Sequence, residues 1–126
     1  MAKEEKRVLL VDDDEALVES FKSILEGEGY IVEKALTGQQ ALEKASRGDF
    51  DLAILDIVLQ DYRGDKVAIK LRKANEKMGL IFITGYPSFQ SSIDALDIGV
   101  SEILLKPISP EELINSTREA LSHVET

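Results

Sequence analysis

A chain of 126 residues, 44% hydrophobic and 31% charged, has the size and balance of one folded domain rather than of a disordered segment. Its net charge of −9 argues against direct nucleic-acid binding, which needs clustered Lys and Arg on phosphates. There is no apolar run near the ~18 residues of a membrane span, no hydrophobic leader after Met1, and no cysteine for disulfides or thiolate metal sites. The expectation is a single domain over residues 1–126, cytoplasmic and without membrane contact.

In chain order, short apolar runs recur at Val8–Val11, Tyr30–Val32, Leu52–Leu55, Leu80–Ile83 and Ile103–Leu105, separated by longer segments with helical spacing. After the first run, Leu17, Phe21, Ile24 and Leu25 form one helical stripe, which Gly27 and Gly29 end. Thr37-Gly38-Gln39-Gln40 has the capping-box pattern of a second helix, with Ala41, Leu42 and Ala45 facing inward. A third helix is predicted from about Gly64 to Ala74, with Val67, Leu71 and Ala74 inward. Phe89, Ile93 and Leu96 mark a fourth, stopping near Gly99. Ser109-Pro110-Glu111-Glu112 opens the fifth with an N-cap serine, a proline at the first helical position and a capping-box glutamate.

Five strands each followed by a helix predict an α/β fold, a doubly wound parallel sheet with helices on both faces. The first, third and fourth runs are apolar at every position, as strands covered on both sides are. The second leads into Glu33 and Lys34 and is placed at a sheet edge. Periodicity leaves the strand order open. Asp12-Asp13-Asp14 follows the first strand where a dinucleotide-binding fold carries glycines, and no Gly-x-x-x-x-Gly-Lys motif occurs.

Open α/β sheets gather their functional groups at the carboxyl ends of the strands. Here those ends carry Asp12 and Asp13, then Asp56, Thr84 and Lys106. Three carboxylates in one pocket repel each other unless a cation joins them, and oxygen ligands without His or Cys favour Mg²⁺. Mg²⁺ usually keeps room for substrate phosphate, a carboxylate can be a nucleophile, and an ammonium and a hydroxyl can neutralise phosphoryl oxygens. Each signal has a plainer reading, since Asp13 or Asp14 can cap the first helix and Lys106 can be a solvated lysine. Their conjunction at successive strand ends favours phosphoryl chemistry.

The sequence resembles the receiver domains of response regulators from Arg7 to about Leu121. The resemblance rests on Val8-Leu9-Leu10-Val11-Asp12-Asp13, Asp51-Leu52-Ala53-Ile54-Leu55-Asp56, Gly64, Ile83-Thr84-Gly85, Ala95-x-x-x-Gly99 and Leu105-Lys106-Pro107. It implies a flavodoxin-like (βα)5 fold with strand order 2-1-3-4-5, an order for which a receiver is a standard example. It further implies that Asp56 accepts a phosphoryl group and that Mg²⁺ is held by Asp12, Asp13, Asp56 and the backbone carbonyl of Val58. Thr84 and Lys106 would bind the phosphoryl oxygens, with a cis Lys106–Pro107 bond. The implied function is a signalling switch rather than an enzyme with a separate substrate. Its donor would be a sensor histidine kinase or histidine phosphotransfer protein. Its output domain or target would dock on the face of the fourth helix, fifth strand and fifth helix.

The chain departs from the family pattern in three respects, at four positions. Gln60 replaces a frequent proline, Ile103 replaces a usual aromatic residue, and Val58 and Tyr86 occupy positions that tune phosphate lifetime. Neither Val58 nor Tyr86 is suited to orient a water, so a long-lived phosphorylated state is expected. An aspartyl-phosphate hydrolase would need a second carboxylate where Val58 stands.

Overall fold

The computed structural model describes residues 5–89, 93–94 and 96–124. Five parallel strands form one sheet in the order β2-β1-β3-β4-β5: β1 Arg7–Val11, β2 Ile31–Ala35, β3 Leu52–Asp56, β4 Gly79–Thr84 and β5 Glu102–Leu105. The helices are α1 Glu15–Gly27, α2 Gly38–Arg47, α3 Gly64–Ala74 and a C-terminal α4, Pro110–Val124, the fifth of the predicted helices. In the region of the fourth, the chain makes a 3₁₀ turn at Pro87–Phe89 and residues 93–94 are helical. The remainder of that prediction falls on residues 90–92 and 95, outside the described residues.

The sheet is wrapped on both faces. Leu9, Val11, Ala53, Leu55, Leu80 and Phe82 pack with Ala41 of α2 and with Val67, Ala68 and Leu71 of α3. Val8, Leu10, Leu52, Ile54, Ile81 and Ile83 pack on the other face with Val18, Phe21 and Leu25 of α1 and Leu113, Ala120 and Leu121 of α4. Alternate residues of one strand thus serve opposite cores, which is why β3 and β4 are buried at every position. The edge strand β2 runs on through Glu33 and Lys34 beyond the apolar run. Only one of its sides has a partner strand, so half-exposed charges are tolerated there.

Helix ends follow local chemistry. The Asp14 carboxylate caps α1 by accepting from Leu17 N at 3.1 Å, and Thr37 Oγ1 caps α2 through Gln40 N at 3.0 Å. Ser109 and Glu112 complete a reciprocal capping box at α4, with bonds of 3.1 and 3.2 Å. One inward position in α3 differs from the prediction: Ala74 is exposed at the last turn, and Ala68 is buried instead. Val67 and Ala68 together face the sheet, so the buried stripe is centred one residue away from that assumed. Leu42 and Ala45 of α2 are only half-buried.

Candidate functional site

Parallel register brings the strand ends level. Val11 is beside Leu55, Asp56 beside Ile83, and Thr84 beside Leu105. The ladder continues one step beyond the strands, Lys106 N donating to Thr84 O at 2.8 Å and Ile57 N to Ile83 O at 3.2 Å. Residues from opposite ends of the chain therefore meet at one sheet edge. The Lys106–Pro107 peptide directly after β5 is cis, as the resemblance implied.

Asp12, Asp13 and Asp56 each present a carboxylate oxygen, all within 4.8 Å of one another. Asp12 and Asp56 are buried, 1% and 6% exposed, whereas Asp13 is the more open of the three. The Lys106 ammonium bridges the buried pair, 3.0 Å from Asp12 Oδ2 and 2.9 Å from Asp56 Oδ2. The remaining oxygens take backbone donors, Asp14 N on Asp12 Oδ1 at 2.9 Å and Val58 N on Asp56 Oδ1 at 3.0 Å. Each buried carboxylate is thus held by two donors that fix its plane.

The electrostatics of the cluster are opposed. Burial pushes the Asp12 carboxyl above its ordinary value, against the Asp14 N–H and Lys106, while the neighbouring Asp56 charge adds to the rise. Burial also works against the Lys106 ammonium, yet its bonds to Asp56 and Asp12 outweigh this and raise its pKa. One ammonium therefore serves two buried carboxylates, and a third carboxylate stands beside them. A dication suits that excess. The donor set is all oxygen, the oxygens are close enough to share one ion, and Asp13 leaves the cluster open to solvent.

Thr84 is buried at the end of β4, and its Oγ1 accepts from Tyr86 N at 3.0 Å. Val58 is 45% exposed and its backbone pairs with that of Arg63, closing the loop after β3. Gly64, the first residue of α3, lets the chain pass this close to Asp56. A Cβ there would lie 2.0 Å from the Asp56 carbonyl oxygen, so no side chain fits without moving α3 off the backbone of Asp56. Its N–H donates to Ile57 O at 2.6 Å.

The structure brings together Asp12, Asp13, Asp56 and Lys106, and sets Thr84 on the adjoining strand end. Sequence reading did not find Asp61 or Arg63. Asp61 Oδ1 and Oδ2 accept from Gly38 N and Gln39 N at 2.8 and 3.1 Å, tying the same loop to the start of α2. Arg63 reaches the Phe89 ring in the turn after β4. A lone charged residue in a loop carries no local mark of such distant partners.

The comparisons agree with this geometry. Residues 8–118 match the response regulator receiver domain. A CheY-like receiver domain protein from Methanospirillum hungatei JF-1 is 39% identical, with a TM-score of 0.91 over 97% of this chain and 98% of that one. The response regulator TrrA of Thermotoga maritima, in complex with Mg²⁺ and BeF, is 32% identical with a TM-score of 0.83, over 91% of this chain and 98% of that one. The alginate biosynthesis transcriptional regulatory protein AlgB of Pseudomonas putida is 35% identical over 91% of this chain, which spans only 26% of that regulator's length. From the matched residues and the fold they share, the chain belongs to the response regulator receiver domain family of two-component systems.

Proposed function

We propose that this domain is a phosphorylation-dependent switch in which Asp56 accepts a phosphoryl group in a Mg²⁺-dependent reaction. The observation that carries the reading is the Lys106 ammonium lying between the two buried carboxylates of a three-carboxylate cluster. Asp12, Asp13, Asp56 and the Val58 carbonyl would hold the metal, which when bound neutralises charge on the transferring phosphoryl group. Asp56 is the nucleophile, its Oδ1 steadied by Val58 N–H. Lys106 exchanges a carboxylate partner for a phosphoryl oxygen, and the Thr84 hydroxyl donates to another while still accepting from Tyr86 N. The Mg²⁺ and BeF bound to the Thermotoga relative support the same ligand chemistry here.

On this reading the chain is no enzyme with a separate substrate; it catalyses only its own phosphorylation and dephosphorylation. Its phosphodonor is a sensor histidine kinase or a histidine phosphotransfer protein. Residues 1–126 act as a single cytoplasmic receiver domain that signals to a target protein or an output domain. The docking face comprises the segment after β4, then β5 and α4. Longer transcriptional regulators among its relatives, such as AlgB, favour an output of that kind. No helix among the described residues is long and apolar enough to cross a membrane.

Incubation with radiolabelled acetyl phosphate tests the acceptor. The wild-type chain gains an alkali-labile label in Mg²⁺ and not in excess chelator, and Asp56→Asn gains none while keeping its fold. Equal labelling of the two chains would overturn the assignment.

A further inference from the structure

Outside the acidic cluster, the loop after β3 meets the turn after β4 where Arg63 reaches Phe89, which in turn touches Tyr86. The Arg63 guanidinium lies 5.0 Å from the centroid of the Phe89 ring. Phe89 in turn meets Tyr86 edge to face, with centroids 5.8 Å apart and planes at 85°. Both ends of this chain of contacts lead to the site. Arg63 pairs through its backbone with Val58, whose N–H holds Asp56 Oδ1. Tyr86 donates its N–H to Thr84 Oγ1. Arg63 is also oriented, because its Nε donates to Asp65 Oδ1 at 3.1 Å. Guanidinium keeps its charge at any working pH, so the contact does not titrate away.

We propose that Arg63 is a positioning residue that holds the Pro87–Phe89 turn against the β3–α3 loop and so slows loss of the phosphoryl group from Asp56. This rests on the phosphoacceptor reading and adds a control on it. In hydrolysis, water oxygen bonds to phosphorus as the bond from phosphorus to the Asp56 oxygen breaks. The products are the Asp56 carboxylate and inorganic phosphate, and the proton released from water passes to phosphate or solvent. That water must come past the rim formed by these two segments. With Arg63 on Phe89 and Phe89 on Tyr86, the rim keeps the arrangement in which Thr84 accepts from Tyr86 N. Freed from Arg63, the turn opens more often and water enters more often. Phe89 is half-buried, and a cation on such an aromatic face changes the equilibrium by about two- to fivefold.

The test uses the full chain labelled with radioactive acetyl phosphate, freed of donor and followed as it loses label in Mg²⁺. Arg63→Ala and Phe89→Ala each speed the loss about two- to fivefold. The double variant is no faster than Phe89→Ala alone, because Arg63 acts on the turn through the Phe89 ring. Arg63→Lys, which keeps a cation for the ring, stays near the wild-type rate. In the unlabelled protein, Arg63→Ala shifts the backbone amide resonances of Tyr86 and Phe89. A wild-type rate in Arg63→Ala, or a double variant whose acceleration is the product of the singles, overturns the role of Arg63 alone. A wild-type chain that takes no label overturns the phosphoacceptor reading and this control with it.

Discussion

Lys106 serves two buried carboxylates at once. Its ammonium is 2.9 and 3.0 Å from two carboxylate oxygens that would otherwise face each other without a cation. Lys106→Met keeps the stem and removes the charge. Breaking a fully buried ion pair costs about 3–5 kcal/mol, and less is expected here because the lysine side chain is 25% exposed. The metal-free variant therefore melts below wild type. Added Mg²⁺ then has more repulsion to relieve. At tenfold excess over its dissociation constant, Mg²⁺ contributes roughly 1.4 kcal/mol to the wild type, a rise of about 2–6 °C in Tm. At one fixed Mg²⁺ concentration, scanning calorimetry gives a larger rise for Lys106→Met than for wild type. A smaller rise would show that Lys106 does not compete with the metal for the carboxylates.

At the scale of elements, the β3–α3 loop is tied down by residues with no counterpart in a local pattern. Asp61 accepts from two N–H groups at the start of α2, where unpaired donors and the positive end of the helix dipole favour a carboxylate. The N–H of Gly38 holds its carboxyl below the ordinary range, with Gln39 N–H adding to the effect. A depressed carboxylate adds stability that is present above its unfolded pKa, about 3.9, and lost as pH falls through the folded value. The difference in Tm between wild type and Asp61→Ala is thus steady above about pH 5 and narrows at lower pH. A gap that stays constant down to pH 3 in thermal melts would remove the ionised carboxylate from this anchor. Gly38 completes the anchor, since a Cβ there would come within 2.9 Å of Tyr62 and Val67. Caps spanning three residues, such as Asp14 to Leu17, Thr37 to Gln40 and Ser109 to Glu112, were readable in the sequence because both partners lie in one short window. The bond from Asp61 to Gly38 spans 23 positions, and only the fold pairs them. The stripe of α3 was misplaced at Ala74 for a related reason. Spacing defines a face, but packing against the sheet chose Ala68 to complete it.

At the scale of the whole molecule, alternation of apolar runs and helical stripes was enough to indicate a parallel sheet with two covered faces. It could not order the strands, because any order of five buried runs satisfies the same periodicity. The order came from resemblance, and the structure has it as β2-β1-β3-β4-β5. That order puts β1 beside β3 and β3 beside β4, so Asp12, Asp56 and Thr84 stand on neighbouring strand ends. The bond from Lys106 to Asp12 then closes the site across 94 positions of sequence. The cluster is therefore a product of topology, and under the proposed function it is where metal, Asp56 and a phosphoryl-like group assemble together. Fluorine NMR with beryllofluoride reads that assembly directly. Bound fluoride resonances appear for the wild-type chain in Mg²⁺ and vanish both in excess chelator and in Asp56→Asn. Bound resonances that persist without Mg²⁺ or without the Asp56 carboxylate would contradict the account.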